Sequence, residues 1–222
     1  MRHKRLLLIC LLTFTSLIYC QLSYSQNQDS LQTAFKKGRW LTGLSGTINS
    51  TTTNKGSLDL KTTSNNFGIN IETGKFIKDR FLLGGRFQTH KNSTSGSIEG
   101  STDTIFIGPF SNYYFSDNKT GSLFVTTSLG YVRYKDRIQL EQLDLLIEEL
   151  GDGSGLGALI GFGYSYTINT SVAFDLGINV DLFWVNIEQE SLPSQTISNT
   201  KISSNDVSFS FGFNVILDDF FF

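Results

Sequence analysis

The chain has 222 residues, 39% of them hydrophobic, with 18 Lys and Arg against 20 Asp and Glu and a formal net charge of -2. That balance excludes the strongly basic surface on which nucleic-acid binding rests. Both cysteines, Cys10 and Cys20, lie near the N-terminus, so no disulfide framework or thiol chemistry is expected of the remainder.

The basic stretch Met1-Arg-His-Lys-Arg5, the apolar run Leu6 to Tyr19 and the small residues of Ser23-Tyr24-Ser25 together read as a secretory signal peptide over residues 1–25. The apolar run is shorter than the ~20 residues of a spanning helix, and no later segment approaches that length. Cys20 follows Leu17-Ile18-Tyr19 in a loose likeness of a lipidation site, although Tyr19 is bulkier than the small residue such a site expects. Without Arg2, Lys4 and Arg5 the chain keeps 15 basic and 20 acidic residues, a charge of -5. Residues 26–38 read as a short polar lead-in, and residues 39–222 as one domain with no linker to divide it.

Alternation of apolar and polar residues marks eight strands: Trp40 to Asn49, Asn66 to Phe76, Phe81 to His90, Thr104 to Phe115, Ser122 to Tyr134, Gly155 to Tyr166, Ser171 to Trp184 and Val207 to Leu217. The connections alternate in length. Residues 50–65, 91–103, 135–154 and 185–206 read as long loops at one end, and Ile77 to Arg80, Ser116 to Gly121 and Thr167 to Thr170 as short turns at the other. In the second strand Phe67, Ile69 and Ile71 oppose Gly68, Asn70 and Glu72. The seventh opposes Phe174, Leu176, Ile178, Val180, Leu182 and Trp184 to Asp175, Gly177, Asn179 and Asp181. Successive side chains of a strand point to opposite faces, so each strand has one greasy face and one small or polar face. In the fourth strand Ile105-Phe106-Ile107 puts apolar residues on both faces, and Pro109 suggests a bulge.

A lipocalin-like soluble barrel also alternates, but it turns its apolar residues inward. Here the other face is Gly, Ser, Asn and Asp strand after strand. Aromatics gather near strand ends (Trp40, Phe81, Tyr113, Tyr131, Tyr164, Tyr166 and Trp184), and the chain finishes on Phe220-Phe221-Phe222. An outward apolar band with aromatic girdles and a polar lumen is the pattern of a membrane barrel. Closure also leaves no unpaired sheet edge in hydrocarbon.

These strands, the one-sided loop lengths and the terminal Phe resemble the small eight-stranded outer-membrane β-barrels of Gram-negative bacteria, the OmpA/OmpX-like type. Ile107-Gly-Pro-Phe-Ser-Asn-Tyr-Tyr-Phe115 also resembles a recurring strand in outer-membrane barrels of the Bacteroidetes. The resemblance spans Trp40 to Phe222. It implies an all-β, antiparallel, up-and-down transmembrane barrel of eight strands, with its N-terminus in the periplasm. It further implies a multi-pass outer-membrane location among lipid, a monomer, and Phe222 as the signal read by the barrel-assembly machinery. Parity puts Phe222 on the wrong face if the odd residues of Val207 to Leu217 face lipid, so Asp218-Asp219 is expected to end the strand or bulge.

Inward chemistry is sparse. If Ile77 pairs with Phe81, Glu72 falls opposite Arg86, and an interior ion pair is expected, structural rather than catalytic. Asn70, Asp175, Asn179 and Asp181 are expected to line the lumen. Asp175 and Asp181 are too far apart along one strand to bind a single calcium unaided. His90, near Ser93 and Ser95, is the lone histidine after the leader and a weak basis for nucleophilic catalysis. Gly151-Asp-Gly-Ser-Gly155 lacks the Gly-Lys-Thr ending of a phosphate loop and reads as a turn. Leu140, Leu143, Ile147 and Leu150 recur at helical spacing, so loop 135–154 reads either as a short amphipathic cap or as an extended hairpin. No cofactor, metal or reaction is expected. The reading is a structural or surface-interaction barrel, with loops 50–65, 91–103, 135–154 and 185–206 offered to an extracellular partner. A lipid-modifying barrel enzyme and a soluble lipocalin-like binding barrel are the alternatives.

Overall fold

A computed structural model describes residues 33–218 apart from 56–59, 97–98, 143–144 and 193–195. Eight antiparallel strands close on themselves in sequence order: β1 (Trp40–Lys55), β2 (Leu60–Lys78), β3 (Phe81–Gly96), β4 (Glu99–Tyr114), β5 (Gly121–Gln142), β6 (Leu145–Thr167), β7 (Val172–Leu192) and β8 (Thr196–Leu217). The expected leader, residues 1–25, and Phe222, the expected assembly signal, lie outside the described residues.

The strands run to 16–23 residues, which corrects the expected loops. Residues 50–65, 91–103, 135–154 and 185–206 mostly continue the ladders as hairpins. Leu140 pairs with Ile147 and Arg137 with Leu150 across β5 and β6, so the helical spacing there was an accident of two strands folding back. At the other end the connections are 79–80, 115–120 and 168–171.

Two register details differ from expectation. The β2–β3 ladder shifts between Phe76 and Lys78, so Ile77 does not pair with Phe81, yet Glu72 still stands opposite Arg86. Pro109 brings no register shift: Gly85 pairs with Pro109 on one side, and Ile107 with Tyr131 and Phe110 with Ser128 share one register on the other. Proline costs β4 a ladder bond without displacing the strand. β8 ends at Leu217, before Asp218.

The outward face carries large exposed apolar side chains on every strand, among them Leu44, Phe67, Leu83, Ile107, Leu129, Leu156, Ile178 and Phe213. On β5 this belt runs from Leu123 to Tyr131, on β6 from Leu156 to Tyr166, on β7 from Phe174 to Trp184 and on β8 from Val207 to Val215. Each run is nine to eleven residues, and the ladders align their ends: Phe87, Ile107, Tyr131, Leu156 and Trp184 form one transverse row across β3 to β7. Four residues further along, Lys91, Asp103, Lys135, Asp152 and Glu188 form a second row, wholly charged.

The interior is not uniformly polar, which corrects the expected lumen. Toward the short-turn end Leu41, Phe76, Leu82, Phe110, Tyr114, Phe124 and Ile216 form a buried cluster. Toward the hairpin end Phe106, Val132, Leu159, Phe183, Val185 and Ile187 form another. An eight-stranded barrel is just narrow enough for side chains to fill it, so its lumen packs partly as a protein core. The polar residues are a layer between the two.

The short-turn end is also capped. Rather than a plain polar lead-in, the segment before β1 inserts Ala34 and Phe35 into the first cluster. Arg80, at φ 65°, donates its N–H to the Phe35 carbonyl at 2.8 Å, and Gly38 donates to Phe76 O at 2.8 Å. Arg39 gathers chain ends, donating through Nη1 to Thr170 O at 2.6 Å and forming an ion pair with Asp218, whose Oδ1 lies 2.6 Å from Nε.

Candidate functional site

The period of two that sends Phe67, Ile69 and Ile71 outward sends Gly68, Asn70 and Glu72 inward, and on β3 it sends Arg86, Gln88 and His90 to the same side. Arg86 Nη2 donates to Glu72 Oε2 at 2.7 Å and to Thr126 Oγ1 at 3.1 Å, with both charged side chains less than a tenth exposed. The guanidinium carbon also sits 5.2 Å from the Phe110 ring centroid, so the cation rests on the apolar cluster beneath it. Across the lumen Asn214 Nδ2 donates to Asp175 Oδ2 at 2.6 Å, and Asn70 Nδ2 to Ser45 Oγ at 3.0 Å. Between these groups lies a cavity of about 40 Å³, lined among others by Asn70, Glu72, Arg86, Asn112, Asp175 and Asn179. Water needs about 10–15 Å³ of such space and two to four polar partners. The walls supply donor and acceptors in Arg86 Nε, Asn70 Oδ1, Asn112 Oδ1 and Asp175 Oδ1.

A second polar group sits closer to the hairpins. Gln88 Nε2 donates to Asp181 Oδ2 at 2.8 Å and is in hydrogen-bond contact with His90 Nε2. His90 Nε2 also lies 3.5 Å from Asp181 Oδ2, so the imidazole, the amide and the carboxylate form one contact group. Asp206 pairs in register with Asp181 across β7 and β8, and its Oδ2 accepts from Asn66 Nδ2 at 2.9 Å. Among the described residues neither carboxylate has a Lys or Arg within ion-pair distance. Gly68 makes this packing possible. A Cβ there would lie 2.4 Å from Thr47 Oγ1 and 3.0 Å from His90 Nε2, so only glycine lets the imidazole and the β1 hydroxyl close over β2.

The structure therefore brings Glu72 to Arg86 and places Asn70, Asp175 and Asn179 around one cavity, with Asp181 in a separate group. His90 is not joined to Ser93 or Ser95: it points inward, and they lie on the opposite face of β3. Sequence reasoning missed Asp206, Asn66 and Gln88. Asp206 lies in what read as a loop, yet its even parity within β8 was a usable signal.

Outside the lumen, at the short-turn end, Lys36 Nζ contacts Asp117 Oδ2 at 2.6 Å and Asp79 Oδ2 at 3.5 Å, while Lys37 N–H donates to Asp79 Oδ1 at 2.9 Å. The hydrogen bond to Asp117, with the charges of both aspartates, holds Lys36 above its ordinary value of 10.5. The Lys37 amide, helped by the Lys36 charge, holds Asp79 below 3.8.

Among solved structures, the outer membrane protein OprG from Pseudomonas aeruginosa aligns with a TM-score of 0.50 at 12% identity, covering 83% of this chain and 98% of that one. Neisserial surface protein A aligns at 0.46 with 17% identity, covering 81% and 97%, and the E. coli outer membrane protein W at 0.42 with 14%, covering 80% and 98%. At these identities the likeness to OprG shows the fold, an eight-stranded antiparallel up-and-down barrel. No curated relative matches the chain. A family model described as "Protein of unknown function, DUF481" matches residues 25–219, and the chain belongs to that family.

Proposed function

We propose that this chain is an outer-membrane β-barrel of the bacterial envelope with a structural or cell-surface interaction role and no reaction of its own. The observation that carries the reading is the outward apolar belt of nine to eleven residues on β5, β6, β7 and β8. A transmembrane strand needs ~9–11 residues, whereas a soluble barrel rarely exposes a contiguous apolar patch of this extent. The charged row Lys91, Asp103, Lys135, Asp152 and Glu188 lies four residues, roughly 13 Å at ~3.3 Å per residue, beyond the apolar row, as a headgroup boundary requires.

In this reading the short-turn end faces the periplasm, and the hairpins within 50–65, 91–103, 135–154 and 185–206 stand above the outer leaflet, where they meet an extracellular partner. Insertion runs through the barrel-assembly machinery, with Phe222 as its recognition residue, and the inserted protein is a monomer. Two apolar clusters and a salt-bridged layer fill the lumen, which argues against a general pore. The test is recovery in the membrane fraction together with heat-modifiable migration of the unboiled protein in a denaturing gel. A protein that stays soluble without detergent and migrates identically boiled and unboiled would sink the reading.

A further inference from the structure

The joint that closes the barrel is incomplete. Adjacent strands β5 and β6 share 22 register pairs, but among the described residues β1 and β8 share eight, and their ladder stops at Thr47↔Ser210 although both strands continue. The next outward residues, Ile48 on β1 and Phe209 and Val207 on β8, are apolar and more than half exposed. The split therefore begins inside the apolar belt. Behind it lies the acidic group: Asp206 and Ser208 are inward residues of β8 just past the last rung, and Asp181 faces Asp206 across β7. Asp181 is 1% exposed and Ser208 5%, and among the described residues Asp181 Oδ1, Ser208 Oγ and Asn66 Oδ1 have no hydrogen-bond partner. His90 Nε2 lies 3.5 Å from Asp181 Oδ2, and among the described residues no Lys or Arg stands within ion-pair distance of either carboxylate, so two carboxylates and the spare oxygens share a single imidazole.

We propose that this split is a lateral binding site for the ammonium head of an amine-bearing amphiphile whose hydrocarbon tail stays in the bilayer. The inference rests on the membrane reading above. An ammonium carries three donors and no acceptor, which matches Asp181 Oδ1, Asn66 Oδ1 and the Asp206 carboxylate. A phosphate head brings the wrong charge, and a neutral hydroxyl brings one donor and no charge. The tail fits because Ile48, Val207 and Phe209 flank the entrance on the lipid side, while unpaired strand edges at that depth favour an occupant that supplies hydrogen-bonding groups.

The experiment uses the full barrel in lipid nanodiscs and three photoreactive dodecyl probes differing only in the head: amine, hydroxyl and phosphate. The amine probe is expected to label β8 peptides containing Asp206 and Ser208 at least tenfold more than the other two. An Asp181→Asn, Asp206→Asn double variant should lose that labelling tenfold while keeping its heat-modifiable shift. Should the variant fail to insert, competition on the wild-type barrel decides: unlabelled dodecylamine suppresses labelling and ethylamine at equal concentration does not. Labelling that ignores the head group, spreads evenly around the belt, survives in the inserted variant, or responds equally to both competitors overturns the inference. A wild-type chain that never enters the membrane overturns the function proposed above instead.

Discussion

The Phe35 ring stacks on Tyr114, with centroids 4.0 Å apart and planes inclined by 14°. Both side chains are fully buried; Phe76 packs on both and Phe124 on Tyr114, with planes tilted by 45–48° and centroids 5.8–6.1 Å apart. A residue outside every strand thus completes the core of the turn end. Phe35→Ala should lower stability by about 3–5 kcal/mol, the range for emptying a buried aromatic site, and Phe35→Leu by less. Urea titration in lipid, followed by Trp40 and Trp184 fluorescence, checks this. A Phe35→Ala loss below about 1 kcal/mol would show that the segment only brushes the barrel.

Glu72 and Arg86 offer a sharper test, because a buried pair is costly to break and cheap to replace. Either Glu72→Met or Arg86→Met alone leaves one charge buried without its ionic partner and should cost about 3–5 kcal/mol. The double variant should recover most of that loss, since Met fills similar volume and strands no charge. Refolding into vesicles measures all three. Additive losses in the double variant would refute the coupling.

That pair was legible in the sequence because two constraints coincide: period-two alternation fixes the face, and a short turn fixes the register. The outer halves of the strands were not. Above the belt both faces of residues such as Asn92, Ser93 and Thr94 are polar, so alternation vanishes while the ladder persists. The inner apolar clusters were hidden for the converse reason: in Ile105-Phe106-Ile107 the outward and inward residues are equally greasy. Phe35 sits in a polar run with no period to read, and its burial is purely tertiary.

The clamp of Lys36 on Asp79 and Asp117 sets a pH window for the cap. Asp79 is held below its ordinary 3.8, so its contribution is present above that value and is lost as pH falls through the lowered one. Lys36 is held above 10.5, so its contribution is present below that value and is lost as pH rises through the raised one. Protection of the Arg80 amide, which reports the Phe35 carbonyl contact, should be flat across neutral pH and fall in acid below about 3.8. Asp117→Asn should return Lys36 toward its ordinary titration, measured by carbon NMR at its ε position. An unchanged Lys36 titration would mean that the hydrogen bond to Asp117 contributes nothing in solution.

Gly68 ties the closing strand to the polar group behind it. Its missing Cβ leaves room for Thr47, at the last rung of the β1–β8 ladder, and for His90, which faces Gln88. Gly68→Ala should therefore cost about 1–3 kcal/mol, the usual range for overpacking, and the methyl should push Thr47 and His90 apart. Combining it with Thr47→Ala removes the hydroxyl that lies 2.4 Å from the new methyl and should restore most of the loss. Combining it with Thr47→Val should not, because a methyl takes the hydroxyl's place. Equilibrium unfolding of the three variants in one lipid system decides. Failure of Thr47→Ala to restore stability would mean that the cost comes from the β2 backbone rather than from the contact with β1.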